Sequence, residues 1–279
     1  MLFNSNIMNM NIKNAVSYLT FKDFEKFDFL THAFSTRMGG VSEGCYKSMN
    51  LSFSQGDKEE SVERNYNILF SVLGLNINKI AMTNQVHDNF IKIIKESDIN
   101  SSELKSNIHY ETDGLITNVP GVALVTYHAD CPAIFIVDPA KKVIGLAHAG
   151  WKGTVKEIAG NLVNSFVKNY NSLPQNLICA IGPAISGDCF EVSEDILPYF
   201  ENLNLADKSY LISSKIPGKI NIDLLEVNRQ ILVKSGVKES NIIKSDVCTK
   251  CYHDLLFSHR AMGKNRGTNA AVMSLKIQD

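Results

Sequence analysis

The sequence predicts an α+β fold: a layered α/β arrangement of mixed, largely antiparallel sheets with outer helices. Three observations predict it. Strand-like and helix-like segments are intermixed without a regular βαβ alternation. The central strands are joined by connections too short for a parallel crossover, which needs a dozen or more residues. Those strands are also almost continuously apolar, so both of their faces are covered. The chain has 279 residues, 44% of them hydrophobic, enough for a sizeable core. No Pro/Gly/Ser-rich linker divides it, so residues 1–279 read as one domain. Residues 1–25 read as an N-terminal extension that packs as an extra strand or stays loose.

The elements follow in order. Residues 30–36 form a strand that runs into the Gly-rich turn Met38-Gly39-Gly40-Val41-Ser42. Residues 61–73 have helical spacing (Val62, Tyr66, Leu69, Phe70, Leu73) and stop at Gly74. Residues 79–86 and 89–95 read as a strand pair, and 95–106 and 202–208 as surface loops. Residues 122–128, 133–138 and 143–148 are three short strands, joined by Ala129-Asp130-Cys131-Pro132 and Pro139-Ala140-Lys141-Lys142. They read as an antiparallel meander. A helix over 153–169 follows, then a strand over 177–181 ending in Gly182-Pro183. Ser193 is a candidate cap for a helix running to Phe200. Residues 223–235 form a helix stopped by Gly236, and 270–275 a closing strand.

Charge and hydropathy exclude several classes. Lys+Arg number 28 against 29 Asp+Glu, so no electrostatic field favours nucleic acid or an anionic membrane. The longest apolar run, 119–137, is interrupted by Pro120, Gly121, His128, Asp130 and Pro132, too soon to span a bilayer. The Asn-rich start lacks the features of a signal peptide, so a cytoplasmic location is the default. The six cysteines are irregularly spaced and read as reduced thiols.

Three polar clusters fall at strand ends: Gln85-Val86-His87-Asp88, His128-Ala129-Asp130-Cys131 and His148-Ala149-Gly150-Trp151-Lys152-Gly153-Thr154. In the meander the first and third strands run the same way, which puts Cys131 and His148 at one end of the sheet. If the strand of His87 is adjacent, a His/Cys/His set converges there. Two imidazoles and a thiolate suit Zn²⁺, and three protein ligands leave a fourth position open, the pattern of a catalytic rather than structural site. The plainer reading is a half-buried His at a strand end beside a structural Cys, and spacing alone does not decide between them. Cys248-Thr249-Lys250-Cys251 is a lone CxxC with no second pair to complete a zinc ribbon, and reads as packing or as support for a neighbouring site, with a metal or redox role the lesser alternative. Cys45, Cys179 and Cys189 read as buried hydrophobes. No segment has the spacing of a nucleotide-binding glycine loop. The helix start after Gly150, with Lys152, is a candidate anion site, against an ordinary helix start with a solvated lysine. Arg37, after a strand and beside Gly39-Gly40, can hold a phosphate or carboxylate bidentately. Ser258-His259-Arg260 is a weaker candidate of the same kind.

Taken together, several segments resemble one family. They are His32-Ala33-Phe34-Ser35-Thr36-Arg37 with Gly39-Gly40-Val41-Ser42, Ser48-Met49-Asn50-Leu51-Ser52, Gln85-Val86-His87, Thr112-Asp113-Gly114-Leu115, Ala129-Asp130-Cys131 and His148-Ala149-Gly150-Trp151-Lys152-Gly153. Gly182-Pro183-Ala184-Ile185, Cys189-Phe190-Glu191-Val192 and Cys248 complete the set. This pattern resembles the YfiH-like family, formerly labelled polyphenol-oxidase laccase, over residues 30–275. The resemblance implies a layered single domain and a zinc-dependent purine nucleoside phosphorylase with adenosine deaminase activity. Adenosine, inosine, guanosine and methylthioadenosine are the implied nucleosides, with phosphate as co-substrate. A peptidoglycan-editing role is ascribed to some members. The implied metal ligands are His87, Cys131 and His148, with copper able to replace zinc. Arg37 and Lys152, with Ser35, Asn50 and Gly150, are the candidates for holding phosphate and nucleoside, and Asp130 for serving the base. Lys152 stands where the family usually has Arg, which keeps the charge and loses the planar fork. Pro132 comes one residue earlier than the family's proline.

Other readings differ in class. A multicopper oxidase needs about ten histidines for its three copper types, and this chain has seven. A metal-free hydrolase would pair Cys131 with His148 as nucleophile and base. A non-catalytic editing module would use the same pocket to hold a cell-wall precursor. The expected partners are a nucleoside and phosphate, with no nucleic acid and no membrane; monomer and homodimer both remain open.

Overall fold

The computed structural model describes residues 3–99, 103–109 and 111–277. The chain starts with a hairpin, β1 (Met8–Lys13) and β2 (Val16–Phe21), so the N-terminal extension supplies two strands. Then come β3 (Leu30–Ser35) and α1 (Glu59–Leu73). Tyr66, Leu69 and Phe70 line the buried side of α1, and Gly74 ends it at φ 69°, a left-handed conformation that suits glycine. Short strands follow: β4 (Ile80–Thr83), β5 (Ile91–Ile93), β6 (Ile108–His109) and β7 (Gly114–Thr117). The predicted loop over 95–106 contains two 3-10 turns, and its residues 100–102 lie outside the described residues. The apolar centre forms β8 (Ala123–His128), β9 (Ala133–Asp138) and β10 (Val143–His148).

The predicted helix over 153–169 is two helices, α2 (Trp151–Val155) and α3 (Ile158–Tyr170), broken where Glu157 adopts φ 57°. After β11 (Ile178–Ile181) comes β12 (Glu191–Ser193). Ser193 ends this strand and makes no capping bond; a 3-10 turn separates it from α4 (Leu197–Glu201). The rest is β13 (Leu211–Ser213), β14 (Lys219–Ile222), α5 (Leu224–Lys234), β15 (Ile242–Lys244), α6 (His259–Met262) and β16 (Asn269–Leu275). Asp223 caps α5 by accepting the N–H groups of Leu225 and Glu226 at 2.9 and 3.0 Å.

The strands form a large sheet in the order β1-β2-β3-β16-β8-β4-β6, a second sheet β15-β11-β9-β10-β7-β5, and a small sheet β12-β14-β13. Most pairs are antiparallel; β4 with β6 and β8, β5 with β7, and β11 with β15 are parallel. Alternation along the central strands explains the stacking. Leu124, Phe135, Val137, Leu146, Ala271 and Met273 point into a core shared by the two large sheets. Their neighbours Val125 and Val272 face α1. Ile134 and Ile136 face α3 and α5. The result is four layers, helix–sheet–sheet–helix, with both faces of the central strands covered.

Two pairings differ from expectation. β8 does not pair with β9: it belongs to the large sheet, and β9 and β10 form a hairpin in the second. The segments 79–86 and 89–95 likewise supply β4 and β5 to different sheets. Packed sheets lie about 10 Å apart, and four extended residues reach about 13 Å. A connection as short as residues 129–132 therefore crosses between sheets as readily as it turns within one.

Candidate metal centre and its cavity

β4 and β8 run parallel, so their C-terminal ends lie side by side. From both ends the chain crosses to the second sheet. His87 lies on the first crossing and Cys131 on the second, while His148 ends β10 opposite them. The ligating atoms of His87, Cys131 and His148 all lie within 4.8 Å of one another. The two imidazoles meet edge to face, centroids 4.8 Å apart.

One carboxylate organises the group. Asp113, fully buried just before β7, accepts the N–H groups of Val86 and Asp88 on Oδ2, both at 3.0 Å, and that of His87 on Oδ1 at 3.1 Å. It thereby holds His87 at its left-handed φ of 61°. Asp113 Oδ1 also bonds His148 Nδ1 at 2.9 Å, and its carbonyl accepts the His148 N–H at 2.7 Å. With Nδ1 occupied, His148 presents Nε2 to the thiol side. A third imidazole is near, His128, 5.5 Å from His148, but both of its nitrogens are bonded. Nδ1 pairs with the Cys131 carbonyl at 3.1 Å and Nε2 with Thr126 Oγ1 at 2.7 Å, so His128 braces the Cys131 crossing.

Electrostatics sharpen the picture. Burial alone would raise the Cys131 thiol, but His148 and His87 bring it down to about 6. Burial alone would lower His148, but Cys131 and Asp113 raise it to about 9. Burial, reinforced by His148, keeps His128 neutral, well below the ordinary histidine value. A thiolate, a tautomer-fixed imidazole and a second imidazole form a donor set that fits a metal of intermediate softness. Gly150 makes room for it: a Cβ there would lie 2.8 Å from His87 Cδ2 and 3.2 Å from Cys131 Sγ.

The group opens on a cavity of about 390 Å³. Ser52, Phe53, Ser54, Gln85, Lys105, Ile108, Tyr127, Arg266 and Thr268 are also on its wall. Arg266 Nη1 bonds Gly267 O at 3.0 Å, while its buried Nε has no partner. No Asp or Glu lines this cavity among the described residues.

The other sequence-derived site residues stand away from this wall. Ser35 is fully buried and accepts the Ala270 N–H at 2.8 Å. Arg37 spends its guanidinium on backbone: Nε and Nη2 donate to Lys47 O at 3.0 and 2.9 Å, and Nη1 donates to His253 O at 3.0 Å. Asn50 is buried and accepts the Thr268 N–H at 3.0 Å and the Ser52 N–H at 3.2 Å, so it sets the cavity wall from behind. Asp130 turns its carboxylate to Thr249 Oγ1 and Arg260 N, each at 2.6 Å. Lys152 is exposed, over the Trp151 ring at 5.8 Å, and α2 behind it is a single short turn. Asp130, Arg37 and Lys152 are thus not among the residues that line the cavity. Sequence reading missed Asp113 and Arg266. Asp113 was visible in Thr112-Asp113-Gly114 as an acidic residue opening an apolar strand; Arg266 carried no local signal.

The family model described as multi-copper polyphenol oxidoreductase laccase matches residues 31–276. The chain belongs to this family. Its relatives include purine nucleoside phosphorylase YlmD of Bacillus subtilis, 32% identical over 86% of this chain and 86% of the relative. Adenosine deaminase RL5, from an unknown prokaryotic organism, is 31% identical over 88% of this chain and 96% of that one. The crystal structure of YlmD from Geobacillus stearothermophilus superposes with a TM-score of 0.90 at 30% identity, covering 97% of this chain and 99% of that one. The layered, largely antiparallel architecture of this laccase-labelled family is thus the architecture found here. Among the described residues, no helix is long and apolar enough to cross a membrane.

Proposed function

We propose that the protein is a zinc-dependent purine nucleoside phosphorylase. It cleaves the N-glycosidic bond of adenosine, inosine, guanosine or methylthioadenosine with phosphate, and deaminates adenosine as a second activity. The observation that carries this reading is the His87/Cys131/His148 group opening on a nucleoside-sized cavity whose wall holds an unpartnered Arg266 Nε. The names of the relatives support it.

Phosphorolysis needs an anion beside the ribose C1′ and stabilisation of the departing purine. Arg266, with Ser52, Ser54 and Thr268, holds the phosphate. Phe53, Ile108 and Tyr127 provide apolar surface for the base. His87, Cys131 and His148 would hold a zinc ion, which would supply Lewis-acid polarisation. Asp113 keeps His148 in the ligating tautomer. The cavity is partly enclosed, which strengthens each of these contacts. The seven histidines of the chain speak against a multicopper set.

A metal-free hydrolase is the second reading, favoured by the Cys131–His148–Asp113 order, which matches a nucleophile, base and orienting carboxylate. One assay separates them. With adenosine and inosine, ribose 1-phosphate is expected only when phosphate is present, together with phosphate-independent ammonia release from adenosine. Cys131→Ser and His148→Ala are each expected to lower bound zinc by one equivalent and to abolish phosphorolysis while leaving the folded circular-dichroism spectrum. Undiminished phosphorolysis in a folded His148→Ala protein would sink the proposal. A zinc-free wild type with freely alkylated Cys131 would favour the hydrolase.

A further inference from the structure

A second cluster of ligating atoms lies apart from the cavity. Cys189, Cys248 and Cys251 bring their three Sγ atoms within 4.8 Å of one another. Sequence spacing offered only the lone CxxC; the third thiol arrives from the 3-10 turn Gly187–Cys189, which packs against the 248–251 turn. Cys248 is buried, whereas Cys189 is half-buried and Cys251 exposed, so the cluster has a solvent entrance. Cys45 is also exposed and only Cys179 and Cys248 are buried, so the expected packing role holds fully for Cys179 alone among the cysteines outside the cavity.

We propose that Cys189, Cys248 and Cys251 form a second metal site, a three-thiolate clamp for a thiophilic d¹⁰ cation, zinc or cuprous copper. Three features of the cluster support it. Sulfurs held at about 2.3 Å around a tetrahedral ion stand about 3.8 Å apart, and Cys189 Sγ and Cys251 Sγ are 3.7 Å apart. A disulfide would require about 2.05 Å. The Cys248 sulfur also accepts the Ser186 N–H at 3.3 Å, the kind of backbone bond that steadies a metal thiolate. Finally, an all-sulfur donor set is selective for soft cations and disfavours the hard ions.

The clamp has a structural consequence. The 248–251 turn and its neighbours hold Asp130, the residue before Cys131. Thr249 Oγ1 and Arg260 N bond its carboxylate, and Ile185 N donates to its carbonyl at 2.9 Å. Arg260 Nη1 reaches back to Cys189 O at 3.0 Å. An ion joining Cys189 to the 248–251 turn therefore locks the platform on which Asp130 keeps its left-handed φ of 90°. The site is structural, and it stands independently of the proposed catalysis.

The test uses the full chain, purified without an affinity tag under reducing conditions, in a Cys131→Ser background that removes the only thiolate of the cavity group. After chelator treatment, Co²⁺ is titrated in. One equivalent showing a strong sulfur-to-cobalt charge-transfer band is expected. That band should be lost when Cys251→Ser is added, a change at an exposed position whose folding circular dichroism checks. Displacement of cobalt by Zn²⁺ at equivalence assigns zinc, and displacement only by Cu⁺ assigns copper. Absence of the band overturns the proposal. So does a band that persists in the Cys251→Ser variant, or a Cys189–Cys251 disulfide found by mass spectrometry in the reduced, metal-treated protein.

Discussion

Asp113 makes more of the candidate site than any of the three ligands does. It holds three successive N–H groups around His87 and fixes the ring of His148, although it touches neither the thiol nor the cavity. Burial would raise its carboxyl, but the bond and charge of His148 together with the N–H groups of Asp88 and Val86 keep it below the ordinary carboxylate value. Asp113→Asn preserves the shape but turns one acceptor into a donor facing N–H groups. The expected loss in metal affinity is about 10- to 100-fold, the usual effect of removing a partner that orients a ligand. Competition with a chromogenic chelator measures it, and an unchanged affinity would show that the loop holds His87 without the carboxylate. The candidate ligands were legible at this scale because His and Cys are few and fall at strand ends. Asp113 and Arg266 were not, because their roles depend on partners distant in the chain.

At the scale of elements, the N-terminal hairpin is tied to the sheet by a buried histidine. His32 on β3 accepts the Phe21 N–H on Nε2 at 2.8 Å and packs between Phe21 and Phe24. Burial lowers its pKa from 6.5 to about 4, against the pull of Glu25. The unfolded chain therefore takes up the proton first as pH falls. Stability contributed by neutral His32 is complete above pH 6.5 and declines as pH drops toward about 4. Urea midpoints across that window should fall in the wild type and fall less in His32→Gln. Equal slopes in the two proteins would remove His32 from the acid response. Helix and strand positions were largely readable from periodicity, as in α1 and the β8–β10 run. The break between α2 and α3 at Glu157 was not, because no proline or glycine marks it.

At the scale of the molecule, stability rests on the core between the two large sheets. Phe135 on β9 lies in that core, edge-on to Phe21 with centroids 5.5 Å apart, and so joins the N-terminal hairpin to the central strands. Phe135→Ala leaves a cavity that neither sheet can close, with an expected cost of about 3–5 kcal/mol. Chemical denaturation reads this directly; a loss under 1 kcal/mol would mean that the sheets repack around the gap. The layered class was legible because near-continuous apolar strands require cover on both faces.

The sequence by itself determined the class of the fold, most of its strands and helices, and a short list of residues able to bind a metal. It could do so because hydrophobic period and residue chemistry are local properties. Only the tertiary structure decided which sheet each strand joins, since a four-residue connection fits a hairpin and a sheet crossing equally well. That choice places His87 and Cys131 on two crossings beside His148. It also sends Arg37 and Asp130 to structural partners, leaves Arg266 on the cavity wall, and brings Cys189 to the CxxC turn. Each of these depends on contacts between segments far apart in the chain, which no local pattern records.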